Sequence, residues 1–424
     1  MSPHAATHAL FQKIKDATTD APGVTRVAYG DGEQIAHDMV AAFATEYGAE
    51  KTFDAAGNQF LTLPGKDRSR RIVLGSHLDS VPHGGDYDGT AGVLLGLAVA
   101  TSLADNGIVP PFDLTVACLR AEESCWFPHS YIGSKTALGR LEPGALDTVR
   151  RVDSGRTLGE HIAEAGFDPD AVAAGDTFLK PADVVAYIEA HIEQAPLLET
   201  EDIPVGIVTG IRGSSRFREI KCVGVYAHSG AMPRKLRHDA ALASAHLVVA
   251  MDEVWDEFEA KGEDLTVTFG MVNTDPTQHS FSKVAGEVGL CLDMRSESRP
   301  TLEAATQRFR ERAAVIAQRF GVTFEEGPKS GSEPAVMSPV LNEMAEGAAA
   351  RLGIKTRRMP SGAGHDAATF AHAGIPSTMI FIRNQNGSHN PDEAMKLPDF
   401  DAAVNIVIDM MMRPATEWSA AGKT

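Results

Sequence analysis

The residues with the clearest chemical potential lie in the segment Leu74–Gly89, which reads LGSHLDSVPHGGDYDG. An apolar run ends there in a glycine and a serine, and His77, Asp79, Asp86 and Asp88 follow. Side chains two residues apart on a strand point to the same face, so His77 and Asp79 share one side of the sheet edge. Imidazole and carboxylate are common ligands of borderline divalent cations. We interpret this segment as half of a site for two such ions, in which a carboxylate of the turn is the bridging ligand.

Further residues of the same chemical types follow other predicted strands. Adjacent carboxylates at a strand end point to different sides, so one of Glu122 and Glu123 can bind a metal while the other acts as a general base. Asp79 is suited to hold the second ring nitrogen of His77. The candidate ligands are therefore His77, Asp88, Glu123, His191 and His389.

Each of these residues alone has a common structural explanation. The carboxylates after His77 can cap a helix that begins near Thr90, an acidic pair is often a solvated surface, and a single histidine such as His389 is more often not a ligand. Together they favour a site, because all of these groups end predicted strands of one sheet. That edge is where open α/β folds bind their ligands.

An α/β sheet is needed to position these groups. Predicted strands at 71–76 and 113–119 flank an apolar helix at 90–103, which indicates a βαβ unit and a parallel sheet. A further strand-like segment covers 184–194. Amphipathic helices are predicted at 5–17 and 32–47, and residues 141–180 are predicted to be irregular.

The pattern changes after Gly210. Strands at 217–225, 265–272, 288–294 and 321–325 and helices at 237–258 and 302–320 give the order β-α-β-β-α-β, which is the ferredoxin-like pattern. Residues 327–332 are predicted to be a return linker. Helices at 339–352, 365–373 and near 399–412 and a strand at 377–382 follow. We therefore predict a catalytic domain of residues 1–211 and 331–424, with an inserted domain at 212–330.

Composition limits the partners and the compartment. The 424 residues carry a net charge of −18, which argues against nucleic acids and anionic membranes as partners. The 4 cysteines form no C-x-x-C motif, which favours reduced thiols. The N-terminal segment lacks the apolar core of a signal peptide, and no apolar run is long enough to span a membrane. We expect a cytoplasmic protein.

A set of short motifs identifies a family resemblance. G-S-H-L-D-S, G-G-x-x-D-G, E-E, H-I-E-Q, A-H-S-G, L-D-M-R, S-G-A-G-H-D-A and S-H-N-P occur in the order found in the M20 metallopeptidase superfamily. The chain most resembles its amidohydrolase branch, which contains N-carbamoyl-L-amino-acid hydrolases, β-ureidopropionases and allantoate amidohydrolases. The resemblance extends from about residue 30 to 412. It implies a mixed-sheet α/β catalytic domain with an inserted ferredoxin-like α+β domain that serves as lid and dimer interface.

The resemblance also implies a ligand set and a reaction. Two divalent ions are expected, zinc first, with manganese, cobalt or nickel as alternatives. Asp88 would bridge them, with His77 and His191 on one ion and Glu123 and His389 on the other. The implied reaction is hydrolysis of the C–N bond of a small N-carbamoyl or N-acyl amino acid, or ureido acid, by metal-activated water.

Roles for other residues follow from the same resemblance. Glu122 matches the general base, and His228 matches a histidine that stabilises the oxyanion from the neighbouring subunit of a homodimer. Arg295 can hold a substrate carboxylate, since its planar fork binds both oxygens, or it can form a surface salt bridge. Gln194 can bind substrate or orient the His191 loop. The loop at Gly362 also matches a substrate-holding position.

Two segments depart from the branch pattern. The branch reads E-E-G-x-R-F where this chain has EESCWF, and its N-V-I-P-G segment corresponds here to HSFSKVAG, which lacks the asparagine that helps to hold the substrate carboxylate. Trp126 and His279 lie in these segments. We therefore predict that Trp126 or His279 shapes a different substrate pocket, for example one for a bulkier, aromatic or more acidic acyl-amino acid.

Two other functions stay open at this point. The first is an N-acyl-amino-acid deacylase or exopeptidase of the same superfamily, which the H-I-E-Q motif disfavours. The second is a binding or regulatory protein that has lost catalysis. The presence of Glu122 and of the full set of candidate ligands argues against the second function.

Overall fold

The computed structural model describes residues 3–421. By its internal contacts the chain divides into two compact units, one of residues 1–209 with 336–424 and one of residues 210–335. The assignment of catalytic and lid roles to predicted domains 1–211 with 331–424 and 212–330 concerns function and stays a prediction.

The strands and helices of the described residues follow in chain order. The strands are β1 Thr19–Asp20, β2 Gly23–Val24, β3 Glu50–Phe53, β4 Gln59–Leu63, β5 Asp67–His77, β6 Phe112–Leu119, β7 Val184–Ile192, β8 Val205–Ile211, β9 Gly213–Val223, β10 Ala227–His228, β11 Thr266–Thr274, β12 Lys283–Val284, β13 Glu287–Ser296, β14 Thr323–Glu325, β15 Lys329–Ser332, β16 Ala335–Val336, β17 Thr356–Ser361, β18 Ser377–Ile382, β19 Asn384–Gln385 and β20 Ala394–Met395. The α-helices are α1 Pro3–Thr18, α2 Asp31–Glu46, α3 Thr90–Asp105, α4 Ile132–Ala137, α5 Ala145–Thr148, α6 Leu158–Glu164, α7 Pro169–Ala173, α8 Leu197–Glu201, α9 Ala240–Glu259, α10 Arg299–Phe320, α11 Pro339–Leu352, α12 Asp366–His372, α13 Leu397–Met411 and α14 Ala415–Ala421. Short 3-10 helices cover Pro181–Asp183 and Arg234–Leu236.

The large sheet has a parallel centre with antiparallel flanks. Its strand order is β16-β8-β18-β7-β5-β6-β4-β3, and β17 pairs with β8. The strands β18, β7, β5 and β6 are mutually parallel neighbours, whereas β4 and β8 join them antiparallel. The carboxyl ends of the four parallel strands therefore meet at one edge of the sheet.

The helix α3 lies at the centre of the first unit. All of its residues from Thr90 to Leu103 are buried, because a parallel sheet needs an apolar layer on each face. It packs with α1 and α13 against β5 and β7. This packing fixes the start of α3, and with it the glycine-rich turn that precedes the helix.

The second unit has ferredoxin-like topology. Its sheet order is β11-β13-β9-β14, with all neighbours antiparallel, and α9 and α10 pack on one another and on the sheet. Alternate residues of β13 are buried, as expected for a sheet with one face covered. The predicted fold class, a mixed-sheet α/β unit with an inserted ferredoxin-like α+β unit, is confirmed.

Several predicted segments need correction. The linker prediction for 327–332 is wrong in part, because Lys329–Ser332 forms β15 and pairs with β9. The helix near 399–412 is not the last one, since α14 follows it. The strands β3, β4, β8 and β17 were not predicted. β3 is exposed along its length and β4 is almost wholly buried, so neither shows the alternation that identifies a half-buried strand.

Within residues 3–421, no helix is both long enough and apolar enough to cross a membrane.

One buried histidine of α2 gives a stability prediction. The side chain of His37 is fully buried, and neither ring nitrogen has a hydrogen-bond partner among the described residues. Burial lowers the pKa of His37 well below its usual range. The folded chain therefore keeps this ring neutral, whereas the unfolded chain binds a proton below about pH 6.5.

Replacing His37 with leucine should raise the free energy of unfolding by about 1–3 kcal/mol near neutral pH, because a buried polar group without a partner is removed. The gain should grow as the pH falls below about 6.5, since only the parent chain must then release a proton to fold. Urea unfolding midpoints at about pH 7.5 and 5.5 measure both effects. The partly exposed His246 of α9 is a control, because leucine keeps the apolar contact of its ring with Phe320, and His246→Leu should change stability by less than about 0.5 kcal/mol. An unchanged or lower midpoint for His37→Leu would contradict this explanation.

Candidate active site

The sheet edge described above brings the candidate ligands together. His77 is the last residue of β5, and Glu122 and Glu123 follow β6 after two intervening residues. His191 lies near the end of β7, and His389 lies in the loop after β18. Because these four strands are parallel neighbours, their ends place the side chains in one region.

The first group contains two histidines around one carboxylate oxygen. His77 Nε2 lies 3.5 Å and His191 Nε2 lies 3.1 Å from Asp88 Oδ1. All three side chains are buried. Gly89 is required beside them, because its φ is +65° and a Cβ at this position would lie 2.4 Å from the His77 ring.

The second group uses the other oxygen of the same carboxylate. His389 Nε2 lies 3.4 Å from Asp88 Oδ2 and 3.3 Å from Glu123 Oε1. The carboxylate of Glu123 is buried, whereas His389 is half exposed. In each group the three ligand atoms lie within 4.8 Å of one another. Asp88 therefore belongs to two groups of three possible ligands each.

The histidine tautomers fit cation binding. His77 Nδ1 lies 3.1 Å from the backbone oxygen of Asp79, and His191 Nδ1 lies 2.9 Å from that of Ile192. A carbonyl oxygen only accepts hydrogen bonds, so each neutral ring carries its proton on Nδ1. The Nε2 atoms of both rings then face Asp88 with their lone pairs, and that of His191 also accepts the Gly89 N–H at 3.2 Å, an arrangement that suits a cation beside Asp88.

The pKa directions agree with a site that stabilises positive charge. Although burial opposes it, contacts with Asp79 and Asp88 raise the pKa of His77 well above its usual range. Contacts with Asp88 and Glu123 raise the pKa of His389 to about 10. A divalent cation bound to the same nitrogens replaces the proton, and nitrogen and oxygen donors of these types suit zinc, manganese, cobalt or nickel.

Glu122 lies beside the first group. Its Oε2 is 3.9 Å from His77 Nε2, and burial raises the pKa of its carboxyl well above the usual range. The carboxylate of Asp79 accepts the backbone N–H groups of Glu122 at 3.0 Å and Glu123 at 3.1 Å. Asp79 also lies next to His77 Nδ1. Its hydrogen bonds to the backbone of Glu122 and Glu123 were not predicted from the sequence.

Besides the histidines, three residues hold the side chain or the backbone of Asp88, and only Gln194 among them was a candidate from the sequence. Gln194 Nε2 donates to Asp88 Oδ2 at 2.8 Å, and Ser388 Oγ donates to the same oxygen. Glu393 accepts the backbone N–H groups of Tyr87 at 2.9 Å and Asp88 at 3.2 Å, and it also contacts Ser388. Ser388 lies within the S-H-N-P motif, which is a signal that the sequence offers, whereas no spacing rule indicates Glu393.

Gln194 contacts Asp88 and retains an unused hydrogen-bond acceptor. Its contact with Asp88 links the loop after β7 to the glycine-rich turn that contains Asp88. Its φ is +64°, which is uncommon outside glycine. Its Oε1 is buried and has no hydrogen-bond partner among the described residues. That oxygen is therefore available to accept a further hydrogen bond.

The other first-unit candidates lie in different surroundings. Gly362 is exposed in the loop between β17 and α12. Trp126 is buried in an apolar cluster with Phe127 and Ile132, and its indole N–H donates to the backbone oxygen of Ser80 at 2.7 Å. This contact supports the turn that contains Asp79, so Trp126 has a structural role that the pocket prediction did not include.

The remaining candidates belong to the second unit. His228 is exposed, and its Nδ1 accepts the backbone N–H groups of Gly230 and Ala231 at 3.2 and 3.1 Å. The Arg295 guanidinium pairs with Asp293 on the same strand at 2.9 Å. His279 contacts Thr274 at 2.7 Å. It lines a cavity of about 470 Å³ within this unit.

Comparison with known proteins identifies the family. The profile of peptidase family M20/M25/M40 matches residues 73–413. An N-carbamoyl-L-amino acid amidohydrolase of Geobacillus stearothermophilus is 35% identical over 374 residues, which cover 88% of each chain. A ureidoglycolate hydrolase of Arabidopsis thaliana is 30% identical, over 91% of this chain and 81% of the relative. The crystal structure of an amidase of the hydantoinase/carbamoylase family from Burkholderia multivorans is 29% identical, with a TM-score of 0.86 over 98% of both chains.

The chain therefore belongs to peptidase family M20/M25/M40, and it is a hydrolase. The resemblance found from the motifs and the predicted two-unit M20-type fold are both confirmed.

The contact of Ser388 gives a prediction about cation binding. Ser388→Ala removes the hydroxyl that joins Asp88 to Glu393, and such supporting residues commonly contribute about 10- to 100-fold in metal affinity. We expect a loss of that size in chelator-competition titrations with zinc or manganese. The exposed Ser69 forms its hydrogen bonds on β5 far along the strand from His77, so Ser69→Ala is a matched control that should retain the parent affinity. Equal affinities for both variants would show that Ser388 does not support the site.

Proposed function

We propose that this chain is a dinuclear metal-dependent amidohydrolase. Its substrate is a small N-carbamoyl or N-acyl amino acid, or a ureido acid, whose C–N bond is hydrolysed. The observation that carries this proposal is the carboxylate of Asp88, which offers one oxygen to each of two three-residue groups, with the Glu122 carboxyl beside them. The names of the relatives support the amide class of substrate.

Two divalent cations fit the donor set described above. His77, His191 and one Asp88 oxygen would hold the first, and Glu123, His389 and the other Asp88 oxygen would hold the second. When bound, such a pair polarises a substrate carbonyl and lowers the pKa of water. Zinc is the first choice for these ligands, and manganese, cobalt and nickel are alternatives.

Glu122 is the proposed general base. A carboxylate oxygen of Glu122 accepts a proton when water attacks the scissile carbon, and it returns that proton to the leaving nitrogen as the C–N bond breaks. Groups that carry protons in this way typically contribute about 10²- to 10⁴-fold to the rate. Asp79 assists by holding the backbone of Glu122, which keeps the carboxyl next to His77.

Two residues of the second unit complete the proposed mechanism. Because His228 Nδ1 accepts two backbone N–H groups, the neutral ring carries its proton on Nε2. Nε2 is then a donor for the oxyanion of the tetrahedral intermediate. Arg295 offers a planar fork for the substrate carboxylate, and Asp293 holds that fork in place.

We also propose a homodimer through the second unit, in which His228 serves the neighbouring subunit. The rival activities are an N-acyl-amino-acid deacylase or an exopeptidase, which share the metal chemistry and differ in the products. A binding protein without catalysis is the rival of another class, and the buried Glu122 beside the ligand groups argues against it.

The products of a substrate panel distinguish these activities. Protein stripped of metal and reloaded with zinc or manganese should release ammonia together with amine from N-carbamoyl amino acids or allantoate. Amine without ammonia from N-formyl, N-acetyl or acyl-aspartate substrates would indicate the deacylase. Glu122→Gln should lower kcat by about 10²- to 10⁴-fold while the metal content stays at the parent value. An unchanged kcat in this variant would contradict the mechanism.

Mixing two inactive variants tests the shared site. If His228 acts across the dimer, His228→Ala and Glu122→Gln proteins should recover activity when their subunits exchange, because half of the sites in a heterodimer then contain both residues. The activity of the mixture is compared with the activity of each variant alone, and subunit exchange is followed with differently labelled chains. No recovery despite confirmed exchange would show that His228 acts within its own chain or has no catalytic role.

A further inference from the structure

The backbone that leads into the glutamate pair is held on every side. The Arg120 N–H donates to the side-chain oxygen of Asn58 at 3.0 Å, and the Arg120 oxygen accepts from Gly133 at 2.9 Å. The oxygens of Ala121 and Glu122 each accept a backbone N–H at 3.1 Å from the start of α4. The N–H groups of Glu122 and Glu123 donate to Asp79, as described above. The one backbone N–H of this segment still to be assigned is that of Ala121, and it donates to a side-chain carboxylate of α2.

That carboxylate belongs to Glu33 in the first turn of α2. Glu33 is fully buried, and its Oε1 accepts the Ala121 N–H at 3.1 Å. Its Oε2 accepts from Arg120 Nη1 at 2.7 Å and from the Tyr29 N–H at 2.8 Å. Both oxygens of one carboxylate are therefore used to fix the residues just before Glu122.

Ala121 needs such a constraint because of its backbone conformation. Its φ is +51°, in the left-handed region, which costs an alanine about 1–2 kcal/mol. A residue in this conformation changes the direction of the chain between β6 and the glutamate pair. The left-handed turn therefore helps to determine where the carboxylates of Glu122 and Glu123 point.

Arg120 holds Glu33 in turn. Its side chain is almost fully buried, and its other nitrogens donate to the Gly57 oxygen at 2.7 Å and to Gln34 Oε1 at 2.6 Å. A buried ion pair of this kind is weak evidence for stability, because burial of two charges costs about as much as their attraction returns. A specific geometric role is therefore the better explanation for it.

We propose that Glu33 is a positioning residue that keeps Ala121 in its left-handed conformation and so orients Glu122 and Glu123. The proposal deepens the proposed function and rests on it for the kinetic consequence. Glu33 touches neither metal ligands nor substrate in this mechanism. It acts through the backbone of Ala121.

The kinetic test replaces the carboxylate with its neutral isostere. In protein saturated with zinc or manganese, Glu33→Gln should lower kcat at least tenfold, with KM within about twofold of the parent value. Metal affinity should also fall, because the same turn orients the proposed ligand Glu123. Adding Ala121→Gly should restore most of kcat, because glycine adopts the left-handed region without the cost that alanine bears. A merely structural role predicts no such rescue in protein that is already folded. A parent-like kcat in Glu33→Gln, or no rescue by glycine, would overturn the proposal.

A matched control separates positioning from stability. Leu341→Ala in α11 creates a cavity in the core and should destabilise the chain by about 2–5 kcal/mol, yet kcat of the folded protein should stay at the parent value. If Glu33→Gln does not fold, Glu33→Leu with Arg120→Met removes both buried charges together, a change that a fold tolerates better than the loss of one partner. This pair leaves the Ala121 N–H without its acceptor, so it should show the same loss of kcat, and a parent-like kcat would overturn the proposal.

Hydrogen exchange tests the same contact without any activity. In Glu33→Gln the amides of the peptide that covers residues 119–124 should exchange faster than in the parent. In Leu341→Ala the exchange rate of this peptide relative to the rest of the first unit should stay at the parent value. Parent-like protection of this peptide would overturn the proposal even if the enzyme is active. A parent chain that is inactive on every substrate, with faster exchange in Glu33→Gln, would contradict the proposed function and leave the positioning role supported.

Discussion

The carboxylate of Asp88 is the constraint on which the rest of the first unit depends. It is buried, it faces the ring nitrogens of three histidines, and four further carboxylates lie buried near it: Asp79, Glu122, Glu123 and Glu393. Such a concentration of negative charge is costly in a protein interior unless a cation or hydrogen-bond donors offset it. Gln194 and Ser388 supply hydrogen-bond donors, and the cations of the proposed function would offset the remaining charge.

The parallel sheet explains why this concentration of charge is possible. Polar groups lie at the end of each of the four central strands or in the loop after it, and the order of these strands in the sheet brings those groups to one edge. The helix α3 then begins directly after the turn of Asp88, so its packing against the sheet fixes the carboxylate. The fold therefore supplies the site with positions that short segments of chain could not hold on their own.

Much of this could be predicted from the sequence, and the limit has a physical cause. His77, Glu123 and His191 were recognised because their side chains have the right chemistry at or shortly after the end of an apolar strand. Asp88 and His389 lie in the loops that follow such strands and belong to motifs that resemble those of the M20 superfamily. Glu393 and Glu33 act through backbone N–H groups of residues that are remote in the chain. The spacing of residues along the sequence does not indicate such contacts. The strands β3 and β4 were missed for a related reason, since their burial depends on neighbours in the sheet rather than on alternation.

The division of the chain into two units also explains why the sequence indicates the class of reaction more clearly than the substrate. The candidate metal ligands and Glu122 lie in the first unit, where burial and hydrogen bonds leave few alternatives for each residue. His228 and Arg295, proposed to contact the oxyanion and the substrate carboxylate, lie in the second unit. In the second unit, the segment from His279 to Val284 lines an open cavity, and the ring of Phe281 is fully exposed on it. An exposed loop tolerates substitution because little packing depends on it. Substitutions in this loop can therefore change the lining of the cavity without disturbing the charge arrangement around Asp88, which lies in the other unit.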